Sequence, residues 1–264
     1  MMDSVDKFPI ERVTEAGRKH VEDLVIKELP LTITLNNREL LTLLCSPADL
    51  EYLAVGFLFS EGLLQSKEEI EKITVDTQSG AAHVKRKDGT ESVDESVSGW
   101  PVAKGCGGGT SFHSATDIKG QVRVSSPTTI SPAEVFGLMR EFLSRSQIHK
   151  ETGGVHGAAL CDSKEMLLFT SDIGRHNAID KIFGECILRD IPIENRIIIT
   201  SGRVSSEILL KVAKRGIPIL ISKSAPTDLG VRLANDLGVT LIGFVRGERM
   251  NIYANGWRVT TADK

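Results

Sequence analysis

A chain of 264 residues with 41% hydrophobic side chains is long enough to bury a sizeable core, as one domain or as a main domain with a smaller partner. Its 32 basic and 35 acidic residues are interspersed and give a formal charge of −3, which excludes a global basic field for nucleic acid or an anionic membrane and leaves open a local basic pocket. The N-terminal MMDSVDKFPIERVTEAGRKH lacks the apolar centre of a signal peptide and no window approaches about 18 apolar residues, so the chain is expected in the cytoplasm without membrane insertion.

In chain order, the first half reads as β-rich with one inserted helix. LPLTITL is a strand, Asn36-Asn37 a turn, and the next strand runs to Cys45. Ser46 is then expected as a helix N-cap with Pro47 at the first helical position and Asp49 in the first turn. Leu50, Leu53, Ala54, Phe57 and Leu58 fall at helical spacing, which implies a helix packed on a sheet. Short strands follow in KITVDT, AAHVKRK and TESVDESV, separated at Ser79-Gly80 and Asp88-Gly89. Residues 98–120 have no sustained period, and a loop of that length inside a compact chain is functional or disordered.

From Ser131 the pattern alternates between helix and strand. Ser131, Pro132 and Glu134 open a capped helix, GVHGAALCD and EMLLFTS form a hairpin, and a helix runs from about Gly174 to Leu188. RIIIT, IPILIS and VTLIGFV are strands; RVSSEILLKVAKR and PTDLGVRLANDL are helices that end at Gly216 and Gly238. Such alternation predicts a sheet covered on both faces. RMNIYANGWRVTT is expected to be a hairpin turning at Asn255-Gly256. The expected division is a β-rich unit over 1–125 and an α/β domain over 126–264.

The four cysteines form no C-x-x-C and no metal-ligand spacing, so free thiols and no bound metal are expected. Cys45 and Cys161 end apolar strands, and Cys186 shares an apolar helix face with Ile179, Ile182 and Phe183, so all three read as packing. Cys106 differs: in KGCGGGTSFH it has three glycines after it, Lys104 before it and His113 nearby. Open backbone amides and a lysine favour a thiolate, and a thiolate on a pliable segment suits carriage of sulfur between two partners. The plainer alternative is an incidental surface thiol.

Several strand ends read as seats for phosphate. TSDIGRHNAIDKI places Asp172, Gly174, Arg175 and His176 at a helix start, and IIITSGRVSSE repeats the arrangement with Ser201, Gly202 and Arg203. Lys223 and Ser224 leave the next strand, and Phe244, Arg246 and Arg249 surround Gly247 after the one beyond it. Each has a plain alternative, a helix cap, a solvated charge or a charged turn; together they favour one crevice for a phosphate-bearing ligand. His156, in TGGVHG, reads as a structural histidine.

GFLFSEGL, GCG, TGGVHGAAL, DIGRHNAIDK, SGRVSSE, AKRGIPIL, SAPTDLGVRLA and GFVRGERMNIY stand in this order across nearly the whole chain. In these words it resembles the FdhD family of formate dehydrogenase accessory sulfurtransferases. The resemblance implies an α/β fold like that of cytidine deaminase, a three-layer sandwich with a mixed sheet, beside a smaller β-rich N-terminal domain with one helix. It implies Cys106 as a persulfide carrier that receives sulfur from a cysteine desulfurase. The acceptor it implies is the molybdenum bis(molybdopterin guanine dinucleotide) cofactor of formate dehydrogenase. It also implies cofactor contacts from Phe244, Val245, Arg246, Gly247, Glu248 and Arg249, and guanine nucleotide phosphates suit the crevice at Arg175, His176, Ser201 and Arg203. Homodimers are expected. Many members have C-x-x-C at the loop, whereas here the second cysteine position is Gly109, which leaves carriage by a single cysteine. Zinc deamination is not expected, because the corresponding helix starts read GRHNA and SGRVS, without cysteines or the needed glutamate. The competing functional reading is a non-catalytic chaperone that binds the guanylated cofactor and delivers it to the apoenzyme.

Overall fold

The structure is a computed structural model that describes residues 4–88 and 123–260. Its first element is an antiparallel hairpin of β1 (Val5–Thr14) and β2 (Gly17–Ile26). No element was expected here, because charged and apolar residues are mixed on both strands and most side chains are exposed, so neither strand shows a clean period.

A four-stranded sheet follows, in the order β4-β3-β6-β5, built from β3 (Leu29–Leu35), β4 (Arg38–Cys45), β5 (Ile70–Asp76) and β6 (Ala81–Arg86). Asn36 and Asn37 turn β3 into β4 with φ of 49° and 65°, the left-handed pair that a tight hairpin needs and that asparagine tolerates. Leu31, Ile33 and Leu35 alternate into one core with Leu53 and Leu58 of the helix α1 (Leu50–Glu61). The expected strand TESVDESV lies outside the described residues.

The start of α1 differs from expectation. Leu50 is its first residue, and Asp49 precedes it with φ 55° and no side-chain cap bond. Ser46 is engaged elsewhere: its hydroxyl accepts from Ile173 N at 3.1 Å and its N–H donates to Asp172 at 3.0 Å. A long-range partner outcompeted the local cap.

α1 is buried on nearly every side from Leu53 to Ser60, because it lies between the small sheet and a helix of the second unit, α4 (Arg175–Leu188). Gly56 and Gly184 face each other at the crossing. A Cβ on Gly56 would stand 1.7 Å from Asp180 O, and one on Gly184 would stand 1.9 Å from Tyr52 O. Only glycine lets the two backbones approach this closely.

The larger sheet has the order β12-β11-β10-β9-β7-β8. Its strands are β7 (His156–Cys161), β8 (Met166–Asp172), β9 (Ile197–Thr200), β10 (Ile219–Ser222), β11 (Thr240–Arg246) and β12 (Arg249–Ala254). β9, β10 and β11 are parallel; β7, β8 and β12 pair antiparallel to their neighbours, so the sheet is mixed. Alternation assigns the two faces: Ile197, Ile199, Ile219 and Ile221 pack with α2 (Pro132–Arg145), whereas Ile198 and Leu220 pack with α4, α5 (Ser206–Lys214) and α6 (Asp228–Leu237). Helices therefore cover both faces, as the alternating pattern predicts. α2 begins with a full capping box between Ser131 and Glu134, and a short α3 (Gln147–Thr152) follows it.

The C-terminal hairpin is misplaced in the sequence reading. β12 folds back on β11 through Gly247-Glu248, with Gly247 at φ 58°, whereas 256–258 form one turn of 3-10 helix. Asn255 is spent on the core, its amide donating to Ala234 O and Val239 O.

Candidate functional site

Strand direction gathers the candidate residues along one edge of the large sheet. The parallel strands β9 and β10 deliver Ser201-Gly202-Arg203 and Lys223-Ser224 at their C-terminal ends, and β11 delivers Phe244 to Arg246 at its own. β7 runs the other way, so its first residue, His156, arrives at the same edge, paired in register with Asp172 at the end of β8. The backbone between these ends is knitted tightly. Ser222 Oγ donates to Gly202 O at 2.8 Å and accepts from Ser224 N at 2.9 Å, while Lys223 N donates to Thr200 O at 3.1 Å.

At the centre of the edge, Ser201 Oγ accepts from Gly157 N at 3.0 Å and lies 3.4 Å from His156 Nδ1. Arg175, the first residue of α4, lays its stem across Gly202; a Cβ there would be 2.8 Å from Arg175 Cβ. His176 Nε2 is 3.1 Å from Glu207 Oε2 on α5. The adjacent His176 imidazole, aided by Arg175 and opposed by burial, holds the Glu207 carboxyl below the usual glutamate range. His156 is held below the usual histidine range, first by burial and then by the charges of Arg175, His149 and His176. Ser205, the N-cap of α5, keeps a buried hydroxyl oxygen that has no hydrogen-bond partner. An edge with a guanidinium, hydroxyls, two imidazoles and a helix start offers donors to an anion.

The other charges of DIGRHNAIDK are internal. Asp172 and Lys181 are fully buried and 2.7 Å apart. Asp172 also accepts from Gly174 N at 2.8 Å and Asn177 Nδ2 at 2.9 Å, and that amide reaches Leu44 O at 2.8 Å. Asp180 accepts from Ser60 Oγ at 2.6 Å and from Lys211 Nζ at 2.7 Å. Asp172 is thus neither a helix cap nor a ligand contact; it joins the α4 start to the N-terminal unit.

The C-terminal segment occupies the far end of the edge. Phe244 has φ 53° in a bulge of β11, its N–H donates to Ser224 O at 3.1 Å, and Arg246 lies 5.4 Å from its ring centroid. Val245 is fully buried against the α2 core. Arg246, Gly247, Glu248 and Arg249 are exposed on the turn, as is Arg203 on its own strand end. Cys106, Lys104 and His113 lie outside the described residues. The other three cysteines are buried, and burial pushes each thiol up to about 12.

Two residues of the edge escaped the sequence reading. His156, expected to be structural, stands on this edge because it is the first residue of an antiparallel strand. Glu207 carries no local signal, because only the crossing of α4 and α5 brings it to His176. Among the described residues no three His, Cys, Asp or Glu side chains converge as metal ligands, and no helix is long and apolar enough to cross a membrane.

The fold and edge define a mixed α/β protein with a polar, anion-suited rim at its strand ends. The profile of the FdhD/NarQ family matches residues 26–260, and the chain belongs to that family. A sulfur carrier protein FdhD of Bacillus pumilus is 42% identical over 90% of this chain and 91% of its own length. One of Staphylococcus aureus, described by the same name, is 40% identical over 97% of each chain. A crystal structure described as a candidate formate dehydrogenase accessory protein from Desulfotalea psychrophila superposes with a TM-score of 0.79 and 29% identity, over 97% of this chain and 99% of that one.

Proposed function

We propose that this protein is a sulfurtransferase of the cytoplasm that carries sulfur on Cys106 to the guanylated molybdenum cofactor of formate dehydrogenase. The observation that carries the cofactor half of the reading is the convergence of Arg175, His176, Ser201 and Gly202 on one edge, with Phe244 and Arg246 at its far end. The sulfur half is supported by relatives named sulfur carrier proteins and by the single cysteine in KGCGGG. Cytidine-deaminase-like layering is part of this reading, as is a homodimer.

Chemically, the Cys106 thiolate attacks the terminal sulfur of a desulfurase persulfide. One S–S bond forms as another breaks, the desulfurase cysteine leaves as a thiolate, and Cys106 holds the sulfane sulfur. The edge binds the nucleotide phosphates through Arg175 and the Ser201 region, and the Phe244-to-Arg249 turn contacts the rest of the cofactor. With Gly109 in place of a second cysteine, transfer depends on one thiol.

The test is incubation with a cysteine desulfurase and cysteine, followed by intact-mass measurement. Wild type should gain about 32 Da, one sulfur atom, by this exchange, and Cys106→Ala should not. A mass gain that survives the substitution overturns the assignment. If Cys106→Ser still supports formate dehydrogenase activity, the protein is a cofactor chaperone instead.

A further inference from the structure

We infer that His156 is a proton-accepting member of the strand-end site: neutral in the free protein, it takes up a proton when a phosphate-bearing ligand seats beside Arg175. The inference rests on the edge being an anion site and concerns a residue that reading does not use. Ser201 Oγ accepts from Gly157 N and lies 3.4 Å from His156 Nδ1, where the hydroxyl can donate to a neutral ring or accept through its second lone pair from an imidazolium.

The groups facing His156 come from four directions. Asp172 on β8 is its register partner, but Lys181 of α4 is 2.7 Å from that carboxylate and offsets it. Ser201 faces it from β9, and Arg175 and His176 of α4 and His149 of α3 act on it electrostatically. Burial first, and then the Arg175 guanidinium, favour the neutral ring. A phosphate against Arg175 reverses the local sign, and an imidazolium beside a dianion is then favoured.

The sign follows. A pKa raised by the ligand means affinity increases as pH falls through the bound-state value, and levels off below the lower free-state value. GDP is a suitable probe because its terminal phosphate is mostly dianionic at pH 7.5, above a second pKa near about 6. The His156 ring signals would be assigned through the backbone of isotope-labelled wild-type protein, so no variant has to fold. The expected result is a His156 titration midpoint higher by about one unit or more with GDP bound. Binding enthalpy at pH 7.5 should also depend on buffer ionisation, showing net proton uptake, and His156→Gln should lose that dependence. GDP binding that leaves the His156 midpoint unchanged overturns the inference while the anion site stands. Absence of GDP binding overturns the anion site, and the inference with it.

Discussion

Asp172 and Lys181 are each fully buried and 2.7 Å apart, with Asp172 holding three further donors from Ser46, Gly174 and Asn177. Removing one partner of such a pair strands the other charge in the core, and that penalty exceeds the net value of the intact pair. Asp172→Ala should therefore destabilise the protein by about 3–5 kcal/mol in denaturant unfolding; a loss below about 1 kcal/mol, the exposed-pair range, would mean that water reaches the site. The cysteines give a second test at this scale. With Cys45, Cys161 and Cys186 buried and their thiols near about 12, the thiolate fraction of each is negligible at pH 7.5. Iodoacetamide should modify native protein at Cys106 alone and all four cysteines in guanidinium; early modification of any other thiol in the native state contradicts the packing described.

At the scale of elements, the crossing of α1 and α4 is the tightest constraint. A methyl group on Gly184 would meet Tyr52 O at 1.9 Å, and backbone cannot rotate away as a side chain can. Gly184→Ala should force the helices apart and cost about 1–3 kcal/mol or more by over-packing, read as a lowered denaturation midpoint. Gly137, inside α2, is the contrast: a Cβ there meets only the tip of Arg140 at 3.9 Å. Gly137→Ala should stabilise by about 0.5–1 kcal/mol, the helical cost of glycine. Equal effects at the two sites would show that the crossing is looser than its geometry. The helices and strands of the second unit were legible because their apolar periods were clean. β1–β2 were not, because a hairpin that buries little imposes no pattern on its sequence.

Across the whole molecule, the two units are joined by polar groups buried at their contact: Asp172 with Ser46, Asn177 with Leu44 O, and Asp180 with Ser60. The strand-end site stands on the same helix, because Arg175 and His176 begin α4 while Asp172 and Lys181 anchor it. Losing the Asp172 anchor should therefore weaken GDP binding as well as stability, an outcome that a purely local salt bridge would not produce. The sulfur-loading assay on Cys106→Ala tests the proposed function at this scale.

Sequence by itself determined the alternation of strands and helices in the second unit, the Asn36-Asn37 turn, the capping box of α2 and the packing role of three cysteines. Each depends on a residue's own preferences or on a short apolar period, both readable over a few positions. It also placed phosphate candidates at successive strand ends, since parallel strands with intervening helices bring those ends to one edge. Tertiary structure alone decided that Ser46 serves Asp172 instead of its helix, that Asn255 serves the core instead of a turn, and that Glu207 meets His176. It also brought His156 to the same strand-end edge, 3.4 Å from Ser201. These are choices between a local partner and a distant one, and the distant partner wins where burial makes an unpaired polar group costly.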